Sequence, residues 1–114
     1  MIVIGIDPGA ANTGFGVVRT AGAQMAALDG GAWDGAIDTC GYVPRCVRAG
    51  TEALGGRVGR YAFVSSLSVY ADASRPGQDE TAPVATLDDP LSEDVPAHYG
   101  ALKARCEEEV RAAF

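Results

Sequence analysis

The sequence predicts an α/β fold: a parallel sheet with flanking helices, preceded by an N-terminal β-hairpin. Two observations carry this expectation. The chain opens on two apolar runs, IVIGI (2–6) and FGVV (15–18), with the turn-rich stretch PGAANTG between them. Beyond residue 32, strand-like and helix-like segments follow in the order strand, helix, strand, loop, helix. That order implies parallel strands with helices packed on them. The composition, 47% hydrophobic and 21% charged, is that of a globular chain, and 114 residues suggest one compact unit able to bury a core.

Taken in order, IVIGI and FGVV are the hairpin strands, and residues 1–20 form the first segment. Residues 21–32 are a Gly/Ala-rich junction, with a short helix expected around 23–28 and stopped by Gly30 and Gly31. AWDGAIDT (32–39) is a short strand candidate within the third segment, 33–114. Pro44–Leu54 reads as a helix opened by Pro44 in its first turn and ended by Gly55 and Gly56. RYAFVSSLSVY (60–70) is the strongest strand, rich in aromatic and β-branched residues. Residues 71–96 contain Pro76, Pro83, Pro90 and Pro96 among many acids, a long irregular segment of the kind that covers sites. Residues 97–113 read as the last helix.

Charge and cysteine usage bound the function. Acids outnumber bases 15 to 9, giving a formal net charge of -6. A duplex-binding surface needs clustered Lys and Arg to displace counterions, so no nucleic-acid partner is expected. The three cysteines, Cys40, Cys46 and Cys106, lack CxxC spacing. This speaks against a disulfide framework and a zinc site and for a reducing cytoplasm. No basic n-region precedes an apolar core, and no run approaches the ~20 apolar residues of a membrane span.

The last helix holds the sharpest signal. At 100° per residue, Tyr99, Leu102, Lys103, Cys106, Val110 and Ala113 share one face. The only Lys of the chain therefore lies in the apolar stripe, one turn from Tyr99. A partly buried ammonium beside a phenol favours the phenolate, which makes the Tyr a proton donor and acceptor near neutral pH. The competing reading is that Lys103 snorkels at the edge of the stripe while Tyr99 is ordinary core. His98 points about a quarter turn away and reads as a surface or capping residue. The second signal is SSLSVY (65–70), which places hydroxyls at the carboxyl end of a parallel strand, where open α/β sheets bind ligands. Alternation sets Ser66 and Ser68 on one face and Ser65 on the other. The competing reading is Ser capping of backbone groups.

FVSSLSVY, the Pro-rich acidic loop and YGALK together resemble the short-chain dehydrogenase/reductase superfamily, in its extended NAD-dependent epimerase/dehydratase branch. WDGAIDTCGYVPR (33–45) also looks like a strand and its following turn in that family. The resemblance covers roughly residues 28–114 and implies a partial Rossmann-like fold. By motif position it makes Ser66, Tyr99 and Lys103 catalytic and sets Thr39, Cys40 and Gly41, with Tyr99 and Lys103, beside NAD or NADP. The reaction implied is oxidoreduction, epimerisation or dehydration of a sugar-nucleotide-like or other small hydroxylated substrate. Gly5, Gly9, Gly14 and Gly16 fit no dinucleotide-binding glycine pattern, so dinucleotide binding is expected to be weak. Asp29 stands at the distance of a ribose-binding acid.

The opening stretch GIDPGAANTGFGVV resembles instead the first hairpin of RuvC-type Holliday-junction resolvases, of the RNase H-like superfamily. There the residue matching Asp7 is a metal ligand, which implies a metal-dependent junction endonuclease as the alternative function. Two-metal chemistry needs several converging carboxylates. Asp7 alone does not supply them, so no metal site and no cleavage of branched DNA are expected. A structural hairpin with an Asp-Pro-Gly turn is the competing reading of this stretch. The two resemblances together predict a fused or truncated chain.

Overall fold

The computed structural model describes residues 3–8, 13–18 and 31–114. The expected helix at 23–28, the hairpin loop and Asp29 lie outside the described residues. The elements are β1 (Val3–Pro8), β2 (Thr13–Val18), β3 (Gly35–Asp38), α1 (Pro44–Leu54), β4 (Tyr61–Phe63) and α2 (Val95–Ala113), with a one-turn 3-10 helix at Leu67–Val69.

One four-stranded sheet runs in the order β2-β1-β3-β4. β1 and β2 are antiparallel, from Val3 opposite Val18 to Pro8 opposite Thr13. β1 and β3 are parallel, with Ile6 registered against Asp38. β3 and β4 are parallel, with Asp38 against Phe63. The hairpin and the later strands thus share one hydrogen-bonded sheet across residues 21–32.

β4 is far shorter than the apolar run around it. A strand extends only as far as its neighbour offers carbonyls and amides, and β4 has a neighbour on one side. β3 ends at Asp38, whose carbonyl accepts the last bond, 2.8 Å from the Val64 amide. Beyond that, the Ser66 hydroxyl accepts from the Ser68 amide at 3.1 Å and turns the chain into the 3-10 helix. The segment 71–94 is irregular. It is held by Asx turns at Asp72, Asp79 and Asp89 and by an isolated bridge between Tyr70 and Val84.

α1 has the expected bounds. Pro44 sits in its first turn, where a missing N–H costs nothing, and Val47, Gly50, Thr51 and Leu54 form its buried stripe. α2 is capped by Asp94, which accepts from the Ala97 amide at 3.1 Å, and is kinked at His98 (φ -130, ψ 27). Ala101, Leu102, Lys103 and Ala104 are all buried. This is broader than the single stripe expected, because α2 is enclosed between α1 and the 3-10 turn. Gly100 touches the Ser68 carbonyl so closely that a Cβ there would overlap it. At its far end the helix emerges, and Ala113, expected on the apolar face, is exposed. The core between sheet and helices contains Trp33, Ala36, Cys40 and Leu54. Among the described residues, no helix is long and apolar enough to cross a membrane.

Candidate functional site

The chemistry-bearing side chains gather at the carboxyl ends of β3 and β4. Asp38, the last residue of β3, is 3% exposed. One carboxylate oxygen, Oδ1, accepts from the Cys40 amide at 2.8 Å, a local Asx bond that shapes the turn leaving the strand. The other, Oδ2, accepts from the Tyr61 hydroxyl at 2.8 Å, across the sheet from β4. Burial and the Asp38 charge hold the Tyr61 phenol well above its ordinary pKa, so it stays a donor at physiological pH. The Tyr61 ring also stacks on Phe114, with centroids 5.0 Å apart.

Lys103 reaches the same strand ends from α2. It is 2% exposed. Its Nζ donates to the Gly41 carbonyl at 2.9 Å and the Val64 carbonyl at 2.7 Å. The ammonium lies 4.0 Å from the Phe63 ring centroid and 5.7 Å from that of Tyr42. Burial lowers its pKa, and nearby negative groups, the Asp38 carboxylate among them, counter that. Two of its three donors are taken by main-chain carbonyls. It joins the turn after β3 to the end of β4, where parallel strands leave carbonyls without ladder partners.

The expected catalytic residues are placed as follows. Tyr99 is half-buried, and its ring tilts against Tyr42 at 6.3 Å. Lys103 directs its ammonium to carbonyls, and the Tyr42 ring is the side chain near both. Ser66 is half-buried, and its hydroxyl accepts from Ser68, as the capping reading has it. The Gly100–Ser68 contact brings the start of α2 against the turn that Ser66 caps. Of the residues expected beside a cofactor, Thr39 is exposed, while Cys40 and Gly41 are buried. Gly41 is packed so tightly on Phe63 and Val47 that a Cβ would overlap both.

Asp38 and Tyr61 were not singled out from the sequence. The available signal was an Asp at the end of a strand, two residues before a Cys amide, an Asx pattern. The Tyr61 partner, 23 residues away, had no local signal.

Both Asp38 oxygens already accept hydrogen bonds. Among the described residues, no three His, Cys, Asp or Glu side chains converge as a metal site would need. Asp7 lies in β1 one position beyond Ile6, the residue registered against Asp38.

With this geometry in place, comparison with known proteins returns one family. Residues 3–45 match the model of the crossover junction endodeoxyribonuclease RuvC family. The matched stretch contains β1, β2 and β3 and ends in the first turn of α1, so it runs straight through the Gly/Ala-rich junction. It covers less than half of the chain. No curated protein and no solved structure matches. The RuvC match overturns two expectations. An NAD(P)-binding oxidoreductase of the epimerase/dehydratase type is replaced by likeness to a nuclease family. The expectation of no nucleic-acid partner falls with it, since that family is named for cutting DNA crossovers. The charge argument failed because a net charge of -6 is a sum over the whole chain, and says nothing of which surface meets a phosphate. The dehydrogenase-like motifs rested on Ser66, Tyr99 and Lys103; here Ser66 accepts from Ser68, and Lys103 donates to Gly41 and Val64.

Proposed function

We propose that this chain binds branched DNA through a RuvC-type β-sheet unit, and that it binds without cutting. The RuvC match across three contiguous strands of the sheet carries the reading. The binding half follows from the named activity of the matching family. The non-cutting half rests on the sequence: Asp7 is the single carboxylate that matches the acidic pattern of such nucleases. Hydrolysis by two metals requires several free carboxylates at one place. The three cysteines are free thiols, which suits a reducing compartment, and we place the chain in the cytoplasm.

The test is fluorescence anisotropy with an immobile four-way junction and a linear duplex of equal length, at fixed salt, with and without magnesium. The junction is expected to bind at least about tenfold more tightly than the duplex, with affinity falling as salt rises. Equal affinity for the two DNAs, or none for either, would sink the proposal. Magnesium-dependent incision that vanishes in Asp7→Asn would show a working nuclease and remove the non-cutting half.

A further inference from the structure

β4 is the last strand of the sheet and has a neighbour on one side. Its main chain is paired toward β3 at both ends. The Arg60 carbonyl accepts from the Ala36 amide, and the Val64 amide donates to the Asp38 carbonyl. Along a parallel strand the peptide groups of successive residues point to alternate sides. The amides and carbonyls of Tyr61 and Phe63 therefore point away from β3, and they have no hydrogen-bond partner among the described residues. Such an edge is normally blunted, and Tyr61, Ala62 and Phe63 bring neither a charge nor a proline to it. The bridge between Tyr70 and Val84 lies beyond the strand and takes up none of these groups. Beside the edge lies a cavity of about 320 Å3, with apolar walls from Phe63, Val69, Val84 and Val110. Side chains alternate between the faces of a strand, so a strand added to this edge would turn every second side chain to the cavity side.

We propose that the outer edge of β4 takes up an extended, basic segment of another protein as an additional strand, with one apolar side chain of that segment seated in the cavity. Unpaired main-chain groups along an edge are met by the main chain of a strand, while a pocket beside them selects a side chain. Charge decides whose strand it is. Segment 71–94, which walls the cavity through Glu80, Ala82 and Val84, contains seven acids and one base, and so accounts for the chain's whole net charge of -6. A second copy would bring the same acidic segment to the edge and be repelled, whereas a strand carrying Lys or Arg is drawn in. The surface lies outside residues 3–45, so it is independent of the DNA-binding reading and survives its failure.

The probe is a capped hexapeptide of alternating Lys and Val in which one central Val is replaced by Phe. It is titrated into the full chain and followed by backbone amide NMR and hydrogen exchange. The amides of Tyr61 and Phe63 are expected to shift and to exchange more slowly. Two further peptides have alternate amide nitrogens methylated, one set on each edge of the strand. The peptide methylated on the pairing edge should bind at least about tenfold more weakly, and the other should bind like the parent. Replacing Lys by Glu, or Phe by Ala, should each weaken binding about tenfold. The proposal is overturned if the parent peptide gives no shifts at ~1 mM, or if its shifts miss Tyr61 and Phe63. Equal binding by both methylated peptides, by the Glu peptide or by the Ala peptide would overturn it as well. So would protection of the same two amides that grows with protein concentration in the absence of peptide, which would put a second copy on the edge.

Discussion

Two polar clusters flank β4, and they are built on opposite principles. On its inner side, Asp38 and Lys103 are buried and Tyr61 is half-buried, and hydrogen bonds tie them to the ends of β3 and β4. On its outer side, Ser65 has a shielded hydroxyl with no partner among the described residues, and Glu80 has an exposed carboxylate with no ion pair there. Of the inner cluster, the sequence singles out Lys103 alone, as a Lys in an apolar stripe. The cluster's groups already have protein partners, for which a substrate would have to compete. The outer cluster has unremarkable residue types and unused capacity. Residue type at a suggestive spacing therefore says less about function than whether the hydrogen-bonding positions are already filled.

The contrast is broken most easily at Lys103. Lys103→Ala would remove both donors from the Gly41 and Val64 carbonyls and leave a void where the side chain crosses the core. The expected loss is about 3–5 kcal/mol of unfolding free energy in a urea titration. Lys103→Met fills the space without donating, and should lose about 2 kcal/mol. On the outer side, Glu80→Gln should stay within about 0.5 kcal/mol of the parent. If Lys103→Ala costs less than about 1 kcal/mol, the inner cluster does not hold the strand ends, and the distinction between the two sides fails.

How far this arrangement was legible depends on what each feature is made of. α1 was readable to the residue, because Pro44 and the Gly55–Gly56 pair are local signals at both ends. The burial of Lys103 was readable from helical periodicity. Its partners were not, since both are main-chain carbonyls, which carry no side-chain signature. The length of β4 was misread because residues 60–70 have strong strand propensity throughout. Propensity is local, whereas strand length is set by the neighbour, and β3 supplies only four residues. Asp38 escaped notice for a related reason: its role is fixed by Tyr61 on another strand. The RuvC-like hairpin was visible from its first residues, but the match continues to residue 45, past the point where composition suggested a seam.

A smaller effect sharpens the comparison from the alkaline side. Cys106 is fully buried in α2, and burial pushes its thiol up from 9.0 to about 12. A raised folded-state value for an acidic group means that the unfolded chain loses its proton first. Stability is then lost as pH rises from 9.0 toward about 12. Tyr61 acts in the same direction above its ordinary value of 10.0. Lys103 acts oppositely: its folded pKa is lowered, the unfolded chain holds the proton longer, and stability rises toward 10.5. Cys106→Ala isolates the thiol, because the void it leaves costs the same at every pH. Between pH 9 and 11 the parent should lose about 2 kcal/mol more than this variant, read from urea midpoints at each pH. Parallel pH profiles for the two proteins would mean that the thiol is not held in a dry core.

The smallest expected effect concerns Ser66, the residue on which the two readings of the strand end divide most plainly. Its hydroxyl accepts from the Ser68 amide at 3.1 Å and starts the one-turn helix. The Ser68 amide belongs to an exposed residue. When Ser66→Ala removes the acceptor, water replaces it, so only the net worth of one exposed capping bond is lost. That is about 0.5 kcal/mol, measurable as a small shift of the urea midpoint with unchanged slope. Junction binding should be untouched, since Ser66 lies outside residues 3–45. Two results would redraw the map. A loss above about 2 kcal/mol would place Ser66 with the inner cluster, as a buried support and not a surface cap. A junction affinity that falls while stability holds would instead bring the end of β4 into the DNA-binding surface. The boundary between the matched and unmatched parts of the sheet would then have no functional meaning.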